Sequence, residues 1–146
     1  FAVLGTTGAY FQHFRYGQKQ ALVLAQGRAF GDMPAGLYEA VVGADVARRL
    51  GYTLGQRIVL AHGDGAMREN DHADKPFTVV GILAPTGTPV DRTVHISLQA
   101  IEALHVDWAA GTRLPGQTLS AEQAAAQDLT PRSVTAAPIA CSGRWP

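Results

Sequence analysis

Side chains able to do chemistry are few and scattered. The five histidines are His13, His62, His72, His95 and His105. His62 and Asp64, with Asp71, His72 and Asp74 beyond them, offer the imidazole and carboxylate donors that a divalent metal takes. Their spacing matches no compact pattern such as HExxH, which sets two imidazoles one turn apart on a helix. The donors sit on a glycine-containing stretch that reads as a solvated turn between two strands. A metal-dependent hydrolase using His62, Asp64 and His72 is nonetheless one functional reading these residues allow. His95 alternates with Val94 and Ile96, so it points to the opposite face of its strand and reads as a surface or satisfied histidine. Ser97 stands at a strand-to-helix junction without the GxSxG setting of a nucleophile elbow, and helix capping explains it better. Cys141 lies near Arg144 with no histidine close in sequence, which gives little reason to expect a reactive thiol. Gly63-Asp64-Gly65 is followed by neither a helix nor a Lys-Ser/Thr pair, so no phosphate loop is supported. Glu39, Asp45, Asp91 and Glu102 stand apart beside basic neighbours and read as surface or capping groups. No catalytic, cofactor-binding or metal-ligating residue is assigned, and an enzyme is not expected.

The elements that would position these residues follow from periodicity. Phe1–Thr6 is apolar and β-prone and reads as an edge or entry strand. Tyr10–Tyr16 predicts a short helix with Tyr10 and Phe14, and Gln12 and Tyr16, paired four apart and Gly17 as its stop. Ala21–Ala25 reads as a buried strand, and residues 27–34 as a loop broken by Gly and Pro34. Tyr38–Gly43 predicts a strand and Ala44–Gly51 a two-turn helix, with Val46 and Leu50 inward, Asp45 and Arg49 paired outside, and Gly51 as its stop. Leu54-Gly55-Gln56 turns into the strand Arg57–His62, with Ile58 and Leu60 on one face. Gly63–Lys75 reads as a long exposed hairpin loop. The strand Phe77–Ala84, the turn Pro85–Pro89 and the strand Arg92–Ile96 come next. Ser97 caps a helix over Leu98–Val106, with Leu98, Ile101 and Leu104 or His105 on one face. A capping box at Ser120 and Gln123 opens a helix over Ala121–Asp128. Thr130–Thr135 reads as a last strand and 136–146 as a loose tail. Strands interspersed with short helices predict an α+β fold, a mixed or antiparallel sheet with two or three short helices.

Composition agrees and excludes much. In 146 residues, Lys+Arg 12 balance Asp+Glu 12, so no global field draws a nucleic acid. One Cys leaves no internal disulfide or CxxC motif. The longest apolar run, Ala21–Ala25, is far shorter than the roughly 20 residues that span a bilayer, so this piece reads as soluble. A start at Phe1 rather than Met reads as a processed or excised segment.

Two segments are more specific. Glu39-Ala40-Val41-Val42-Gly43-Ala44-Asp45-Val46-Ala47-Arg48-Arg49-Leu50-Gly51 leads to Leu54-Gly55-Gln56-Arg57-Ile58-Val59-Leu60. Pro76-Phe77-Thr78-Val79-Val80-Gly81-Ile82-Leu83-Ala84 runs on into Pro85-Thr86-Gly87-Thr88-Pro89-Val90-Asp91-Arg92. Together they resemble the extracytoplasmic (periplasmic core) domain of ABC-transporter permeases of the MacB-like, FtsX-related superfamily. In that family a strand ends in a Gly-Ala turn, an A-x-x-L-G helix comes after it, and x-x-G-x-x-I-x-L leads to the next strand, with F-x-V-V-G-I-L beyond. Gly27-Arg28-Ala29-Phe30 resembles its G-R-x-F. The PTGTPVD segment looks like a branch distinct from the macrolide exporters themselves. The likeness is good over about residues 20–106 and looser elsewhere.

The resemblance implies a periplasmic permease domain over 1–135, in two lobes that share strands with boundaries near 55 and 92. It also implies an inner-membrane parent with this domain on the periplasmic side, between the first two membrane helices. Its partners would be its own permease's transmembrane helices, an ATP-binding-cassette ATPase subunit, and a periplasmic partner or exported substrate. It would have no cofactor and would dimerise only in the full transporter. The aromatic stretch Tyr10–Tyr16 and the loop Gly63–Lys75 are candidate contact surfaces, with a buried aromatic cluster as the alternative for the first. A different reading takes Leu50–Leu60 as the strand entry of a free-standing small β-rich module that binds proteins or peptides.

Overall fold

The computed structural model describes residues 1–62, 74–106, 108–109, 112–113, 119–130 and 139–144. The strands are β1 (Ala2–Thr6), β2 (Arg15–Tyr16), β3 (Gln20–Ala21), β4 (Leu24–Gly27), β5 (Glu39–Val42), β6 (Arg57–His62), β7 (Phe77–Leu83), β8 (Thr93–Ser97), β9 (Trp108–Ala109), β10 (Thr112–Arg113) and β11 (Ile139–Arg144). The helices are α1 (Gly8–His13), α2 (Ala44–Leu50), α3 (Leu98–His105) and α4 (Ala121–Ala125), with a 3-10 helix at Pro89–Arg92. A seven-stranded mixed sheet runs β1-β8-β5-β7-β6-β11, with β4 beside β7; β2–β3 and β9–β10 form two small hairpins. β1 is parallel to β8 and β5 parallel to β7, while the other pairs are antiparallel. The mixing of strands and short helices around one mixed sheet is as expected for the α+β fold, with four short helices among the described residues where two or three were expected. Strands on either side of residues 55 and 92 belong to this one sheet.

Two apolar cores pack on the two faces of the sheet. Ala40, Val42, Phe77, Val79, Ile82, Val94 and Ile96 meet Val46 of α2, Ala100, Ala103 and Leu104 of α3, and Ala124 of α4. On the other face, Val41, Leu83 and Val90 meet Phe11, Leu22 and Phe30, with Tyr10, Phe14 and Tyr16 around them. Each such buried aliphatic or aromatic side chain is worth roughly 1.5–3 kcal/mol, so the two covered faces dominate stability. β7 reads as a nearly unbroken apolar run because both its faces are covered. Ala40 pairs with Val79 but Val41 with Gly81, so Val80 is an extra residue that bulges the strand and resets its alternation. Phe77 and Val79 thus share a core with Ile82, while Val80 and Leu83 join the other.

Local chemistry ends α2 and starts α3 and α4 where the sequence says. Gly51 closes α2 in the left-handed region at φ 67°, its N–H bonded to Ala47, a conformation that costs a side chain with a Cβ. Ser97 Oγ accepts from Ala100 N at 3.0 Å, and Ser120 with Gln123 forms the full capping box. Tyr38 Oη donates to Ala121 O at 2.9 Å and ties α4 to the head of β5.

Several expectations are corrected. The aromatic segment is not one helix to Tyr16: α1 ends at His13, and Arg15–Tyr16 turns back on Gln20–Ala21 as a hairpin. The Tyr10–Phe14 pair does form, stacked at 4.8 Å, but Gln12 and Tyr16 sit on different elements. Ala21–Ala25 is not a buried strand: it splits between β3 and β4, and only Leu22 is buried while Val23 is 58% exposed. Asp45 pairs with Arg48 at 2.6 Å, three residues on, instead of Arg49. In α3 the face turned to the core is Ala100, Ala103 and Leu104, with Leu98 and Ile101 half-buried. The helix expected over Ala121–Asp128 stops at Ala125. The tail expected to be loose contains β11, antiparallel to β6, because its backbone satisfies the ladder that β6 would otherwise leave open. Residues 131–135 of the expected last strand lie outside the described residues, as do 63–73 of the Gly63–Lys75 loop. Lys75, at the end of that loop, is buried, with Nζ 3.0 Å from Asp74.

Candidate functional site

The motif-bearing segments meet at three joints. At the first, Gly43 packs directly on the 3-10 helix. A Cβ there would fall 2.5 Å from the Asp91 carbonyl oxygen and closer still to that of Val90. Gly43 N in turn donates to Thr93 O at 2.9 Å. At the second, the PTGTPVD turn folds around its own acid. Asp91 accepts from Thr86 N at 2.7 Å, Thr86 Oγ1 at 2.8 Å and Gly87 N at 2.8 Å. Thr88 Oγ1 accepts from Val90 N as the helix cap. Asp91 is thus a buried brace, not a surface carboxylate, because every donor it needs lies within five residues. At the third joint, Gly27-Arg28 crosses Val80-Gly81. Arg28 N donates to Val80 O at 2.9 Å, and Cβ atoms at Gly27 or Gly81 would strike the facing carbonyls of Val80 and Arg28. The guanidinium grips Glu39 with two bonds, 2.6 and 2.8 Å, and Gly31 N adds a third at 2.8 Å. These bonds hold the Glu39 carboxyl below its usual range, Arg28 foremost, against a smaller opposing effect of burial. Phe30, last of the G-R-x-F residues, is buried edge-on to Phe11 at 5.4 Å.

The remaining candidates do not converge. His13 is exposed, and His105 Nδ1 donates to Ile101 O at 2.8 Å within its own helix. Asp64, Asp71 and His72 lie outside the described residues; His62 ends β6 and Asp74 pairs with Lys75. Cys141 sits in β11 opposite Leu60. Ser97 is a helix cap. Among the described residues no group of three or more His, Cys, Asp or Glu could hold a metal. A shallow groove of about 670 Å³ opens between Phe1 and Ala2, Asp45, and Thr88, Pro89 and Arg92, and no histidine, cysteine or serine among the described residues lines it.

His95 departs most from expectation. It is fully buried, neither on the surface nor satisfied at both nitrogens. Alternation placed it correctly opposite Val94 and Ile96, but no local pattern announces that α1 covers that face. The Arg28–Glu39 pair, 11 residues apart, likewise carries no short-range signal.

These joints fall in the segments that carry the likeness to permease loop domains. The chain matches the model of the MacB-like periplasmic core domain over residues 1–137 and belongs to that family. It is accordingly an extracytoplasmic domain of an ABC-transporter permease. No curated protein and no solved structure matches the chain. No helix among the described residues is long and apolar enough to cross a membrane. Leu50–Leu60, the basis of the small binding-module reading, forms the end of α2, its turn and strand β6 of the larger sheet.

Proposed function

We propose that this domain couples ATP hydrolysis in the cytoplasm to the handling of an exported substrate or a periplasmic partner, and makes and breaks no bonds itself. The family match over residues 1–137 carries the reading. Two features of the fold support it. The short helices and loops are braced to the sheet by backbone contacts, Gly43 on Asp91 and Gly27 on Val80, which suits a body that transmits displacement. β1 and β11 also lie against each other although they stand at opposite ends of the strand order, which brings the two edges of the sheet together in one body. The partners are then the permease's own transmembrane helices in the inner membrane and an ATP-binding-cassette ATPase subunit, with dimerisation supplied by the full transporter. No side chain is assigned a catalytic, cofactor or metal role.

The test uses the full-length permease assembled with its ATPase. Protease added outside spheroplasts should cut within the domain, and protease added outside inverted vesicles should not. Replacing the domain by a flexible linker should leave ATP hydrolysis in place while export or the partner-dependent phenotype is lost. Protection in spheroplasts, or export undiminished without the domain, overturns the reading.

A further inference from the structure

The ring of His95 lies under α1, 5.4 Å from the ring of Tyr10 and 5.7 Å from that of Phe11. Its Nδ1 stands 3.1 Å from the Val41 carbonyl oxygen. A carbonyl only accepts, so the neutral ring carries its proton on Nδ1 and its lone pair on Nε2. Nε2 is buried and has no hydrogen-bond partner among the described residues. A second proton would therefore put a whole charge among aromatic rings with nothing to receive it.

The cover above it is slight. α1 has six residues and no side-chain cap, and the β2–β3 hairpin has two residues in each strand. Neither a helix nor a hairpin of that length holds its shape alone. What fixes the segment is its aromatic face: Tyr10 and Phe14 stacked, Phe11 against Phe30, and both Tyr10 and Phe11 against His95. We propose that Gly8–Ala21 is a proton-released cap, held on the sheet only while the His95 ring beneath it is neutral.

Among the described residues, the surroundings supply no counter-charge. From α1, Tyr10 is the titratable group facing the ring, and burial pushes its phenol up, so it stays neutral. β1 contributes Leu4 in register with His95 and β5 contributes Val41. Glu39, two residues from Val41 on the same face of β5, has both oxygens engaged by Arg28 and Gly31. Asp91 is taken up by Thr86 and Gly87. His13, Arg15 and Lys19 of the cap are exposed. Burial, partly offset by the Val41 carbonyl, lowers the His95 pKa from 6.5 to about 4. Once the cap lifts, the ring regains water and its ordinary affinity, so the open form binds a proton the closed form refuses. Closure is then at full strength above pH 6.5 and weakens about tenfold per pH unit from there down to about pH 4. The domain's extracytoplasmic side exposes it to the pH of the surroundings, and the proposal holds whatever the transporter carries.

Amide hydrogen exchange of the full chain, corrected for intrinsic rates and followed from pH 7.5 to 4.5, tests this. Protection of Gly8–Ala21 should fall about tenfold per unit below pH 6.5 while β5 and β7 keep theirs, and His95→Leu should make cap protection independent of pH. Should His95→Leu not fold, His95→Gln, uncharged at every pH, must give the same flat profile, and the His95 ring resonances of the unmodified chain must titrate with a midpoint near 4. Cap protection unchanged across the range, loss of cap and sheet together, the same slope in the variant, or a His95 midpoint near 6.5 overturns the proposal.

Discussion

Gly43→Ala is the most direct probe of the joint between the two motif segments. Backbone conformation is no obstacle, since Gly43 has φ −68° and ψ 159°, which any residue adopts. The obstacle is space. A Cβ would lie 2.5 Å from the Asp91 carbonyl oxygen, against an ordinary contact of 3.4 Å or more, and the Val90 carbonyl is nearer still. Neither neighbour is a flexible side-chain end. The 3-10 helix must therefore retreat about 1 Å, an overpacking cost of about 1–3 kcal/mol. That retreat also stretches the bonds that close the turn, Gly43 N to Thr93 O and Thr86 N to Asp91, each worth about 0.5–1.5 kcal/mol. The expected loss is about 2–4 kcal/mol, a large part of a small domain's stability. Urea unfolding followed by far-ultraviolet circular dichroism measures it, with Gly55→Asn as control. Gly55 has φ 78° and open space around it, and asparagine tolerates that conformation, so the control should lose only a few tenths of a kcal/mol. A loss below about 1 kcal/mol for Gly43→Ala would refute the packing argument.

Other sites give further expected outcomes. Glu39 is held below the ordinary carboxylate range by Arg28, so its contribution is complete above the unfolded-state value of 4.5 and is lost as pH falls through its lower folded value. Urea midpoints between pH 7 and 3 should accordingly fall less steeply in Glu39→Gln than in the unchanged chain. Ser97→Ala removes a buried cap from α3 and should cost about 1–2 kcal/mol, whereas Ser120→Ala, on the exposed five-residue α4, should cost about 0.5–1 kcal/mol. Equal losses in thermal melts of the two variants would contradict that ordering.

Short-range chemistry decides the part of the fold that is legible in the sequence. α2 can be bounded because Gly43 and Gly51 bracket one apolar stripe. α3 and α4 can be placed because a serine hydroxyl caps the N–H groups C-terminal to it, which puts both helices just after Ser97 and Ser120. β6 and β7 are readable as strands, and Gly81 within a strand hints at a bulge or a close backbone approach. Partners distant in sequence decide the rest. Ala21–Ala25 is apolar enough for a core strand, but the opposite face of β7 admits only Leu22 and Leu24 of it. The turn of Arg15–Tyr16 onto Gln20–Ala21 competes with helix continuation, and hairpin pairing wins after His13. β11 exists by virtue of the ladder on β6, and no periodicity in Ile139–Arg144 could announce it. Among the candidate site residues, Ser97 is read correctly from its junction. The burial of Asp91 and His95 depends on which loop and which helix come to lie over them.

Strand β5, four residues long, presents a face to each core. Ala40 and Val42 face one way and Val41 the other, and all three are completely buried. Because both faces are packed, β5 cannot shift without also shifting the aromatic packing on its reverse. Under the proposed coupling role, a load on the helical side would pass through β5 to whatever grips the far surface of the sheet.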